Sequence, residues 1–137
     1  MADYGIKLVW AGWNNDDVIG FSERGYQRWR DTITPGTRML LYETMGKPKG
    51  SKAKGTKSIV GEVEVEGSFD DGETRRKPDE QHARLLPVKV VRARDETTPI
   101  PLDRVRELLG DEQYPRMGES WRPLNEAEVE AFLKEWS

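Results

Sequence analysis

The chain has 137 residues, an apolar content of 35% and a charged content of 34%. A single domain of that length, residues 1–137, buries about two thirds of its unfolded surface, and so few apolar residues confine the core to well-patterned segments. The net charge of -3 excludes a generally basic nucleic-acid coat, and the absence of cysteine excludes thiol nucleophiles, disulfides and thiolate metal sites.

Ile6 to Trp10 reads as a first strand bounded by Gly5 and Gly12. A turn follows in which Trp10 and Trp13 stand beside Asn14, Asn15 and Asp16, so bulky apolar rings sit next to strong hydrogen-bonding groups. Ser22 is placed to cap a helix running to about Thr32, with Tyr26, Trp29 and Ile33 on one face and Pro35-Gly36 as its stop. Arg38 to Glu43 is the next strand, apolar enough to be buried on both faces.

After a lysine-glycine loop, Ser58 to Glu66 alternates apolar and acidic residues. That pattern predicts a half-buried surface strand with an irregularity at Gly61. Phe69 to Ala83 is a polar excursion. Leu85 to Arg94 resumes the sheet, where Pro87 favours an edge position or the start of a strand. Leu102 to Leu109 is a short helix ended by Gly110, and the Gly- and Pro-punctuated segment Tyr114 to Leu124 has room for one short strand. Asn125 then caps a last helix, Glu128 completes a capping box, and Val129, Phe132, Leu133 and Trp136 form an apolar stripe. Short strands joined by long loops and few helices predict an α+β domain built on a small curved sheet or open barrel.

Charge is polarised along the chain. KPKGSKAKGTK, residues 47–57, carries five lysines and no acid, whereas residues 125–137 carry four glutamates and one lysine. A local basic loop on an acidic body suits contact with a phosphate backbone at one place; a merely solvated loop is the plainer alternative. No apolar run approaches the roughly 20 residues that cross a bilayer, and MADYGIK is no secretory leader, so a cytoplasmic location off the membrane is expected.

Several chemistries fail on their own terms. GSKAKGTK places Thr56 before Lys57 and is followed by a strand, where a phosphate-binding loop needs Gly-Lys-Ser/Thr order and a helix N-terminus. His82 lies alone in a polar stretch. The pairs Asp16-Asp17 and Asp70-Asp71 lack calcium-loop spacing. No catalytic residues, metal site or cofactor are expected, and a binding role leads by elimination.

GFSERGYQRWRDTITPGTRMLLYE, residues 20–43, resembles the EVE family of the PUA-like superfamily. Gly25, Tyr26, Gln27 and Arg28 take the family's helix positions, Pro35, Gly36 and Arg38 its turn, and Tyr42 its strand end. SIVGEVEV, LLPVKVV, IPLDRVREL and RMGESWRPLNEAEVEAF follow in family order, while Trp-Ala-Gly-Trp stands where the family has Lys-Ser-Glu-Pro. The resemblance implies a PUA-like open barrel and, as in the related YTH readers of methylated adenine, a single modified base held in an aromatic pocket beside the end of the first strand.

By that resemblance the pocket comprises Trp10 and Trp13 as walls, Asn14, Asn15 and Asp16 as hydrogen-bonding groups, and Phe21 and Ser22 at the start of the first helix. Tyr42 and Glu43 at a strand end and Ser120 and Trp121 in the closing loop are the next candidates. Lys47, Lys49, Lys52, Lys54 and Lys57, with Arg75, Arg76 and Lys77, are the phosphate-gripping candidates. The leading expectation is a non-enzymatic reader of DNA carrying a 5-modified cytosine. Alternatives are an RNA-binding PUA-like domain and a regulatory domain that takes a small metabolite or a partner protein in the same pocket. Whether such a reader works alone or recruits a nuclease encoded elsewhere stays open.

Overall fold

A computed structural model describes residues 3–45, 54–69, 84–116 and 119–136. The order is β1 (Tyr4–Val9), β2 (Val18–Phe21), α1 (Glu23–Trp29), β3 (Arg38–Glu43), β4 (Ser58–Val65), β5 (Arg84–Arg92), β6 (Ile100–Pro101), α2 (Leu102–Leu109), β7 (Trp121–Leu124) and α3 (Glu126–Lys134). The sheet runs β2-β5-β4-β3-β1-β7, with β6 added to β4. β1 and β3 are parallel, and the other pairs are antiparallel.

Helix punctuation follows local chemistry. The Ser22 side chain accepts from the Gly25 amide, Asn125 and Glu128 form the reciprocal capping box, and Gly110 ends α2 at φ 64°. Helix α1 is shorter than its periodicity predicts, because the chain leaves the helix at Arg30 and turns so that Ile33 enters the core.

Alternate residues of β3 feed two cores, which is why the strand reads as continuously apolar. Met39 and Leu41 join Trp13, Ile19, Phe21, Val63, Leu86 and Trp121 on one face. Leu40 and Tyr42 join Ile6, Ile59, Val105, Tyr114 and Phe132 on the other, beneath α2 and α3. Residues of β2 and β7, the two edge strands, meet in the first cluster. The sheet is therefore curled around it as a half-barrel, an α+β fold of the class expected.

Three local expectations are corrected. β2 is a strand that the turn-like composition before it concealed. It covers β5 through Val18–Pro87, Ile19–Leu86 and Gly20–Leu85 pairs, so Pro87 is not on an edge. β4 is central and not superficial: Glu62, 1% exposed, is paired laterally with Arg38 at 3.1 Å and Arg92 at 3.2 Å and accepts from Tyr4 Oη. Its acids face arginines from neighbouring strands instead of solvent. The β3–β4 register shifts beside Gly61, passing from Leu41–Gly61 to Tyr42–Ile59, and the Trp13 ring lies 2.6 Å from where a Cβ on Gly61 would stand.

Candidate binding site at the sheet seam

The half-barrel stays open along one seam. Among the described strands, β1 and β2 share no pairing, yet Lys7 of β1 stands over the Phe21 ring of β2 at 4.6 Å. Between the ends of these strands runs a strap, residues 10–17, tied down at several points. The Gly12 amide donates to Glu43 Oε2 at 2.8 Å, Arg94 Nη1 donates to the Trp13 carbonyl at 2.9 Å, the Arg94 amide donates to Asn15 Oδ1 at 2.7 Å, and Val88 N donates to the Asp17 carbonyl. Asn15 adopts φ 61°, a conformation that asparagine tolerates better than most residues.

Two concavities open along this seam and share Leu8, Val9, Trp10 and Gly20. The first, about 360 Å³, is further lined by Trp13, Asp16, Asp17 and Ile19. The second, about 270 Å³, adds Lys7, Ser22, Thr44 and Ser120. Trp10, half-buried just beyond β1, therefore borders both. A larger hollow of about 870 Å³ along α2 is polar, and its Arg116 is engaged by Asp111.

The seam gathers only part of the expected pocket. Trp10, Trp13, Ser22 and Ser120 line it. Trp13 is nevertheless a core residue at 5% exposure. Phe21 is fully buried, edge-on to Phe69 at 5.0 Å, and Trp121 packs over Gly5. Among the described residues, the buried indole N–H groups of Trp13 and Trp121 have no acceptors, so packing and not hydrogen bonding holds these rings. Tyr42 lies in the opposite core, 6.0 Å from Tyr114. Asn14 is exposed outside both linings, and the Asn15 side chain is spent on Arg94.

Glu43 is a structural anchor. Its carboxylate takes Arg94, Gly12 N and Thr56 N at once. Burial alone would push its pKa up, but these donors outweigh that and hold it below the usual carboxylate range. Of the phosphate candidates, Lys54 and Lys57 are exposed. Lys47, Lys49, Lys52, Arg75, Arg76 and Lys77 lie outside the described residues, as does His82. Among the described residues no three metal-ligating side chains gather, and no helix is long and apolar enough to cross a membrane.

Sequence reasoning missed Lys7. It is 2% exposed, donates to the Leu8 carbonyl at 2.7 Å, and burial pulls its pKa down to about 7. The signal available was a lone lysine inside the apolar run Ile6 to Val9, on a strand that is covered on both faces.

No known family pattern matches the chain, and no curated protein matches it. Solved structures do. The human THYN1 protein in complex with DNA containing 5-methylcytosine superposes with a TM-score of 0.59 at 12% identity, over 97% of this chain and 96% of that one. The Mmi1 YTH domain gives 0.60 at 11%, over 97% and 95%. A mutant of the ZmASCH protein from Zymomonas mobilis gives 0.61 at 16%, over 98% and 99%. With these partners covered nearly end to end, the chain has the PUA-like fold, shared with the THYN1, YTH and ASCH structures.

Proposed function

We propose that the protein is a non-enzymatic reader of nucleic acid that holds one modified base, a 5-modified cytosine in DNA, in the seam between β1 and β2. The observation that carries this is Trp10: a half-buried indole bordering two ring-sized concavities where the first strand ends. The match in fold to a protein solved with 5-methylcytosine DNA supports the choice of ligand.

An extruded base resting on Trp10 gains roughly 1 to 3 kcal/mol from stacking. That is comparable with the few kcal/mol needed to take it out of a duplex. Asp16 and Asp17, in the first concavity, are acceptors for the exocyclic amine of a cytosine. Glu43 and Asn15 Oδ1 are already engaged by Arg94. Exposed Arg24, Arg28 and Arg30 on and after α1, with Lys54 and Lys57, are the described cations suited to phosphates. Their contribution is salt-dependent and blind to sequence.

Titration of plain, methylated and hydroxymethylated duplexes of one sequence tests the reading. A preference for a modified duplex, lost in Trp10→Ala with the fold retained, supports it. Equal affinity for all three refutes modified-base recognition. Competition by RNA of the same sequence decides between DNA and RNA as the ligand.

A further inference from the structure

We infer that the seam takes a pyrimidine ring bearing a carboxylate, with Lys7 Nζ receiving the carboxylate in the second concavity and Trp10 as the wall beside the ring. This rests on the seam being the base-binding site and names the kind of modification it selects.

Lys7 is the most unusual charge in the molecule. Its ammonium is almost completely buried, yet among the described residues its partners are one backbone carbonyl, that of Leu8, and the face of Phe21. Two of its three donors remain without acceptors there. Among the described residues, the elements around it offer no acid to neutralise it. On β3 and β7 its register partners are Leu41 and Trp121. Tyr4, on the same strand, donates to Glu62. At the start of α1, Glu23 is held by Arg84; at the end of β3, Glu43 is held by Arg94; before β7, Glu119 is held by Arg122. Asp16 and Asp17 line the first concavity, which the second shares only through Leu8, Val9, Trp10 and Gly20.

A buried, unpaired ammonium is costly, and an anion docked against it offsets that cost. The second concavity is the place from which such an anion reaches it, because Lys7 lines it together with the hydroxyl-bearing Ser22, Thr44 and Ser120. At about 270 Å³ it admits a single ring or its substituent, not a whole nucleotide. A methyl group there would add little and would meet an ammonium instead of an apolar wall. A carboxylate on the ring matches both the charge and the size. The amine, poised to titrate near neutrality, would take up a proton from solvent as the anion docks.

The test compares wild type with Lys7→Met, a variant that removes a buried charge and keeps the volume. The ligands are oligonucleotides of one sequence carrying cytosine, 5-methylcytosine or 5-carboxylcytosine, single-stranded and duplex, and the free ring uracil-5-carboxylate. The expected result is roughly tenfold or tighter binding of the carboxylated strand over the methylated one, flat below pH 7, weakening above it, and abolished in Lys7→Met. Equal binding of methylated and carboxylated strands, or a preference that survives in Lys7→Met, overturns the inference and leaves the base-reader reading standing. Lys7-dependent binding of the free ring without any strand upholds the inference and overturns the nucleic-acid reading. Absence of binding to every ligand overturns both.

Discussion

Arg94 clasps Glu43 across the end of the sheet, Nη1 on Oε2 and Nη2 on Oε1 at 3.0 Å, while the same guanidinium holds the Trp13 carbonyl. The carboxylate is fully buried. This pair fastens the strap that carries Trp10, so the site's wall is positioned by residues that touch no ligand.

Breaking the clasp from one side should be severe. Arg94→Met leaves Glu43 buried without its cation and is expected to cost about 3 to 5 kcal/mol in urea unfolding at pH 7. The sign of the pH dependence follows from a folded carboxylate held below its ordinary range. Its stabilisation is present above the unfolded value and is lost as pH falls through the folded one. The stability gap between wild type and Glu43→Gln is therefore expected to close on acidification below about pH 4; a gap independent of pH contradicts the assignment.

Lys7 works in the opposite direction. Its folded pKa of about 7 lies far below the unfolded 10.5, so the unfolded chain binds more protons between those values and stability rises with pH across that window. Below pH 7 both states carry the proton and the burial penalty is complete. Each tenfold loss of proton affinity on folding corresponds to about 1.4 kcal/mol, so Lys7→Met is expected to be more stable than wild type by a few kcal/mol at pH 6. The advantage should shrink towards pH 10, as thermal melts across pH would reveal.

Gly61 and Trp13 share one space. A Cβ at position 61 would lie 2.6 Å from Trp13 Cζ3 and 2.9 Å from the Arg92 carbonyl. Gly61→Ala is expected to lose roughly 1 to 3 kcal/mol by overpacking and to shift tryptophan fluorescence. An unchanged spectrum with unchanged stability would place Trp13 elsewhere.

The two strap tryptophans should separate in their effects. Trp13→Ala empties a core site and is expected to cost about 3 to 5 kcal/mol of stability. Trp10→Ala should cost far less stability but about 1 to 3 kcal/mol of ligand affinity. Chemical denaturation and titration of the same two variants measure both quantities; reversal of the pattern would move the binding wall to Trp13.

What the amino-acid order determined by itself is whatever neighbours along the chain decide. The capping of α1 by Ser22, the box of Asn125 and Glu128, the glycine end of α2 and the apolar run of β3 all depend on residues a few positions apart. Their geometry agrees closely with what those local patterns predict. The class of fold and the placing of Trp10 at the end of the first strand were legible for the same reason. Tertiary structure alone decided which charges are inside. Glu43 meets Arg94, 51 positions away, and Glu62 meets Arg38, 24 positions away, so alternation of acids in β4 mimicked an exposed strand. Likewise Phe21, Tyr42 and Trp121 were drawn into cores, and Lys7 was buried at the seam, because curling the sheet closes both faces over residues that local sequence leaves equally free to meet solvent. Burial is a property of the assembled surface, and only long-range contacts set it.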